Sequence, residues 1–121
     1  MKIWHISDTH GSHKSLVIPE GIDVVIHSGD CSNYRDPYNN ESEVRDFIDW
    51  FSGVDIPTKI YVAGNHDTSI EKGLIMGNDF TDNGITYLEN ESIVLDGIKI
   101  LSDVSKKNNM SVRIFIDKTI Y

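Results

Sequence analysis

The sequence of 121 residues predicts an α/β fold built on parallel strands, and three observations carry that prediction. Short, almost continuously apolar runs recur along the first half of the chain, an amphipathic helix separates two of them, and a polar cluster follows each run. Runs without alternation suit parallel strands covered on both faces, whereas one-sided hairpins would alternate apolar and polar residues.

The strands come first. Lys2 to Ser7 (KIWHIS), Asp23 to Ser28 (DVVIHS) and Thr58 to Ala63 (TKIYVA) are apolar runs closed by turn residues. Between the second and third lies Glu41 to Ser52, where Val44, Phe47, Ile48 and Phe51 form one stripe at helical spacing. Asn40 and Glu43 stand in capping-box positions, and Gly53 is placed to end the helix in a left-handed conformation. The stretch from His13 to Gly21, broken by Pro19 and Gly21, predicts a short irregular crossover. Ser69 to Met76 predicts a weak helix in which Gly73 costs about 1 kcal/mol relative to Ala. After Gly84, Ile85 to Leu88, Ser92 to Leu95 and Ile98 to Leu101 are short strand-like pieces, and Asp96-Gly97 is a type I′ hairpin signal. This grammar predicts antiparallel sheet. From Ser102 to Ser111 the sequence is polar and aperiodic, and the alternating VRIFID that follows reads as a strand without an evident partner. The order is therefore β-α-β-α-β, then an antiparallel hairpin and a tail.

Chemistry concentrates where the first three runs end. Asp8-Thr9-His10, Gly29-Asp30 and Gly64-Asn65-His66-Asp67 bring oxygen and imidazole donors to three strand ends, the place where open α/β sheets build their sites. Asp8 and His10, two apart, can project to one side as the strand ends. Asp30 can bridge two ions through its two carboxylate oxygens, Asn65 offers an amide oxygen, and His66 can ligate or donate a proton. A mixed Asp, His and Asn set favours divalent ions of the Mn, Fe, Zn or Ni class over Ca. Gly11, Gly29 and Gly64 let the backbone turn sharply beside these residues.

Taken in order, SDTHG, HSGD and AGNHD resemble the D-x-H, G-D and G-N-H-[DE] blocks of the calcineurin-like metallophosphoesterase family. The resemblance covers residues 1–101. It implies an α/β/β/α sandwich, truncated here to its first β-α-β-α-β half and a hairpin. It implies two divalent ions, with Asp8 and His10 on the first, Asp30 bridging and Asn65 on the second, and His66 as proton donor to the leaving oxygen. The implied activity is hydrolysis of a small phosphomonoester or phosphodiester by a metal-activated hydroxide, with the ions about 3.5–4 Å apart.

The family pattern also includes a further metal-binding histidine and a G-H-x-H block, and neither occurs in this sequence, whose last histidine is His66. The first ion then keeps Asp8, His10 and Asp30, while the second keeps Asp30 and Asn65. Three protein ligands and water can hold an ion, so the expectation is at most one well-bound ion. The activity is then impaired, or the chain is a non-catalytic metal-binding remnant, or it is a half-domain completed by a C-terminal-half partner. Residues 1–101 read as a partial phosphoesterase domain and 102–121 as an atypical tail. With half of the sandwich missing, the apolar face of the first sheet is expected to be uncovered, which favours self-association.

Composition excludes other classes. A net charge of -8 disfavours non-specific binding to nucleic acid and to anionic membranes. No apolar stretch suits a signal peptide or approaches the roughly 20 residues needed to span a bilayer, so no membrane role is expected. One cysteine, Cys31, precludes an internal disulfide and agrees with a cytoplasmic setting. Cys31 itself reads as a small packing residue, Asp67 as a turn residue or a support behind the ligands, and Trp4, Phe47, Trp50 and Phe51 as core. His5 and His27 lie inside apolar runs and read as core histidines, while His13 reads as a solvated loop residue.

Overall fold

A computed structural model of the chain describes residues 1–63, 67–89, 91–104 and 110–115. Strands β1 (Ile3–Ile6), β2 (Val24–His27), β3 (Thr58–Val62) and β4 (Thr86–Leu88) form a parallel sheet in that order. Each has one side chain set on either face. Val25, Tyr61 and Ala63 pack under the helices, and Val24, Ile26, Ile60, Val62 and Leu88 belong to a second cluster on the opposite face. The continuous apolarity of these strands thus reflects burial from both sides, as the sequence predicts.

Three helices cover the first face: α1 (Pro37–Ser52), α2 (Thr68–Glu71) and α3 (Gly77–Thr81). The stripe Val44, Phe47, Ile48 and Phe51 is buried, and Phe47 stands at the centre of a ring cluster with His13, His27, Trp50, Phe51 and Tyr61. On the other face lies an antiparallel sheet of β5 (Ser92–Leu95), β6 (Ile98–Val104) and β7 (Met110–Phe115) in that order. Ile100 is fully buried there, with Ile93, Leu95 and Ile98 partly buried on the same cluster. The described layers are therefore α/β/β: helices, parallel sheet, antiparallel sheet.

That second sheet corrects one expectation. The inner face of β2, β3 and β4 is covered: Val24, Ile26, Ile60, Val62 and Leu88 are each at most 4% exposed. β1 at the edge stays more open, with Ile3 partly buried and His5 exposed, so His5 is not a core residue. The last strand does have a partner, since β6 continues to Val104 and pairs with β7 along its length. The Asp96-Gly97 turn has positive φ at both residues, 46° and 78°, as a type I′ hairpin demands.

Four local readings also differ. Helix α1 begins four residues before Glu41, with Asp36 as its N-cap accepting from the Asn39 amide at 3.2 Å and Pro37 in the first turn. Asn40 and Glu43 do not cap it, because both are engaged with the loop that follows β2. Gly53 closes the helix at φ -87°, in the right-handed region. The segment Ile85 to Leu88 supplies β4, which extends the parallel sheet by pairing with β3, and α2 and α3 make the crossover that permits this. The first crossover is short, a single 3-10 turn at His13–Ser15. No helix among the described residues is long and apolar enough to cross a membrane.

Candidate metal centre

The loops after β1 and β2 run side by side beyond the sheet. The Ser28 amide donates to Ile6 O, Asp8 N to Gly29 O, His10 N to Asp30 O and Gly11 N to Cys31 O, at 2.9–3.1 Å. These bonds extend parallel pairing into the polar clusters and bring Asp8, His10 and Asp30 to one end of the sheet. All three have left-handed backbones, with φ of 54°, 44° and 61°; among the described non-glycine residues only Asp96 of the hairpin joins them. Such conformations cost about 1–3 kcal/mol each and persist where surrounding bonds over-determine them.

The donors are held in defined states. His10 Nδ1 donates to Ser32 O at 3.0 Å, and His10 Nε2 lies 3.6 Å from Asp8 Oδ1. That separation exceeds hydrogen-bond length and lies within what one ion with ligand bonds of about 2.0–2.2 Å can bridge. The Ser7 hydroxyl, donating to Asp8 Oδ2 at 2.8 Å, holds the Asp8 carboxyl below its usual range; burial opposes this, and a hydrogen bond with Asp30 and the nearby His10 add to it. Asp8 is thus a carboxylate at neutral pH. The donor types fit a divalent ion. The described set is nevertheless short: no group of three or more His, Cys, Asp or Glu side chains that could hold a metal occurs among the described residues. Asn65 and His66 lie outside the described residues.

Beneath the donors is a buried polar layer that single-residue reading did not reveal. His27 is fully buried; its Nδ1 accepts from the Gly29 amide at 3.1 Å, so its Nε2 carries the proton and donates to Thr9 Oγ1 at 2.9 Å. This neutral imidazole stitches the first loop to the second. Burial depresses its pKa to about 3, against which the nearby Asp8 charge pulls only weakly. The reading of His27 as a satisfied core residue therefore holds. The only available signal was register, for β1–β2 pairing sets His27 opposite Ile6, at the mouth of the first loop.

Asp67 is 2% exposed, and its carboxylate is turned to the second loop. Oδ2 accepts from the Asp30 amide at 3.2 Å and from the Tyr61 hydroxyl, and Oδ1 accepts from Ser32 Oγ at 3.0 Å and Cys31 Sγ at 3.7 Å. Asn40 closes the layer, donating to Ser32 Oγ at 2.6 Å and Tyr34 O at 2.7 Å while its Oδ1 accepts from Ser69 N and Oγ. Glu43 Oε1 accepts from the amides of Asn33 and Tyr34 at 3.0 and 2.7 Å. These bonds explain why neither residue caps α1. Cys31 is buried with its thiol pKa pushed up by burial and by the Asp67 charge, which makes it a packing residue.

His13 overturns its reading as a solvated loop residue. It is 2% exposed beneath Phe47 and Trp50, its Nε2 donating to Asp46 Oδ2 at 3.0 Å while Nδ1 has no hydrogen-bond partner. Burial lowers its pKa, opposed by Asp46. His13 pins the loop after Gly11 to α1.

Comparison with known proteins identifies relatives of the chain. Over 67 residues, 55% of the chain, it is 36% identical to human Metallophosphoesterase domain-containing protein 1, and the mouse protein of that name matches equally. It is 32% identical over 96 residues to the Probable rhamnogalacturonate lyase C of Emericella nidulans, matching 8% of that protein. The chain spans 19% of the length of the two mammalian relatives. The Calcineurin-like phosphoesterase family matches residues 1–120, and with the strand-end donors so arranged, the chain belongs to that family.

Proposed function

We propose that this chain carries the metal-binding half of a phosphoesterase site, and that phosphoester hydrolysis requires a partner half to complete the ligand set. Asp8, His10 and Asp30 would hold a divalent ion of the Mn, Fe, Zn or Ni class, and Asp30 with Asn65 a second, more weakly held ion. The observation that supports this reading is the left-handed backbone shared by Asp8, His10 and Asp30, the residues whose types suit such an ion.

Bound divalent ions polarise phosphoryl oxygens and lower the pKa of water, which is the chemistry the reaction needs. The chain's own residues orient and protonate. Ser32 O fixes the His10 tautomer with the proton on Nδ1, and Ser7 keeps Asp8 ionised. His66 donates a proton to the leaving oxygen of a small phosphomonoester or phosphodiester. Residues 1–101 carry this site, with 102–121 outside it, and the single buried thiol suits a cytoplasmic setting.

Calorimetric titration with Mn, run beside an assay on a generic aryl phosphate diester, tests the proposal. One weak Mn site, abolished by Asp30→Asn, with no turnover by the chain alone, is the expected result. Two tight sites with turnover by the chain alone would remove the need for a partner, and no Mn binding at all would refute the site.

A further inference from the structure

Asp67 occupies the N-cap position of α2 yet makes no side-chain cap bond there. An Asp at that position ordinarily accepts from the next turn's amides. Here the carboxylate is directed instead to the loop bearing Asp30, where it receives the Asp30 amide, the Ser32 hydroxyl and the Cys31 thiol, and it is gripped from β3 by the Tyr61 hydroxyl. Tyr61 is itself fully buried, stacked on Phe80 at 4.8 Å and packed against Phe47 and His27. Its ring has ample packing reasons to be there, but its hydroxyl does not.

We propose that Tyr61 and Asp67 are positioning residues for the metal centre: the Tyr61 hydroxyl aims the buried Asp67 carboxylate at the Asp30 amide and so holds Asp30 in the left-handed conformation that presents its side chain beside Asp8. Three features support the assignment. The Asp30 amide, on a backbone with φ of 61°, donates to Asp67 Oδ2 at 3.2 Å. The Ser32 hydroxyl binds the other oxygen of the same carboxylate, while Ser32 O fixes the His10 tautomer, so one buried group reaches both the Asp30 and the His10 sides of the site. Burial and the Asp67 charge push the Tyr61 pKa well above its ordinary value, keeping the phenol a donor at any physiological pH. Sequence separates these residues by six positions, so the bond ties β3 to the residue that precedes α2.

The inference rests on the metal-site reading above, and its test separates the two. Tyr61→Phe removes the hydroxyl and leaves the ring. In metal-free protein, the Asp30 amide is expected to lose hydrogen-exchange protection and shift in the amide spectrum, and the Mn dissociation constant is expected to rise by about tenfold or more. Asp67→Asn sets an NH2 donor against two of the four donors that the carboxylate accepts, and should change both readouts at least as much; no change in either would overturn the proposal. A remote core substitution, Ile48→Val, controls for general loosening and should move neither. The proposal is overturned if Tyr61→Phe leaves the Asp30 amide unchanged, or if Ile48→Val alters it equally. Should the wild-type chain bind no Mn, the metal-site reading fails while the Asp30 amide still decides whether Tyr61 and Asp67 position that residue.

Discussion

The buried neutral imidazole of His27 makes a quantitative claim about acid stability. With its pKa at about 3 in the folded protein against an ordinary value of 6.5, the unfolded chain takes up the proton first as pH falls. The contribution is complete above pH 6.5 and is lost progressively from there toward pH 3. Each unit of this window costs about 1.4 kcal/mol, so lowering the pH from about 7.5 to about 5 removes about 2 kcal/mol. That figure hardly depends on the folded-state value, because the imidazole is still almost wholly neutral at the lower limit. His13, whose pKa burial also lowers, adds a loss of the same sign, whereas the depressed carboxyls of Asp8 and Asp46 lose their contribution only at more acid pH. Urea unfolding followed by the fluorescence of Trp4 and Trp50 across this window measures the loss. The control is His27→Gln, which is expected to be less stable at neutral pH, since its amide cannot satisfy both Gly29 and Thr9 as the ring does. Its stability should fall by about 2 kcal/mol less than that of the wild type over the same interval. Equal losses in the two proteins would refute the argument that the buried imidazole controls acid stability.

Other consequences concern packing, reactivity and strain. Phe47→Ala, at the centre of the ring cluster, should cost about 3–5 kcal/mol by the same urea assay. Asp36→Ala should cost about 1 kcal/mol through the loss of the α1 cap, with no effect on Mn titration. The Cys31 thiol, buried and with its pKa raised, should resist iodoacetamide in native protein at mildly alkaline pH and react promptly in urea, as read by mass spectrometry. Asp8→Gly should leave stability equal to the wild type or above it by up to about 1 kcal/mol, since glycine relieves the left-handed strain, while Mn affinity falls at least tenfold.

What the sequence displays is what local spacing encodes. The stripe of Val44, Phe47, Ile48 and Phe51 announces α1 because helical periodicity repeats within a few residues. The start of α1 is less legible, because Asn40 and Glu43 look like caps and serve as tertiary tethers, while the true signal, Asp36 before Pro37, lies a turn earlier. Helix α3 is hidden for the opposite reason. Its five residues have poor intrinsic propensity, and Phe80, stacked on Tyr61 and Tyr87, places them through tertiary packing. Strand β4 resembled the start of an antiparallel region because three residues carry no information about direction; its pairing with β3 supplies it. The polar clusters were legible because they follow recognisable strands, but the layer beneath them was not. His27, Tyr61 and Asp67 acquire their roles only when β1, β2 and β3 lie in register.

That division has a physical logic. The donors sit on strained backbones, and strain of about 1–3 kcal/mol at each of three neighbouring residues cannot be sustained by the donors themselves, of which Asp8 and His10 are well exposed. The geometry must be imposed from below by groups that do not titrate near neutrality: a neutral His27, a protonated Tyr61 and main-chain bonds between the two loops. Such a scaffold reduces the ordering cost that an ion would otherwise meet on binding. It also means that the site and the fold share a common weakness, because protonating His27 breaks the acceptor bond to Gly29, the residue that joins β2 to Asp30. The folded imidazole resists protonation to about pH 3 and also packs on Phe47 at 4.8 Å, so acid should loosen the metal centre and the helical core around Phe47 in one transition, read by the exchange of the Asp30 amide beside those of α1.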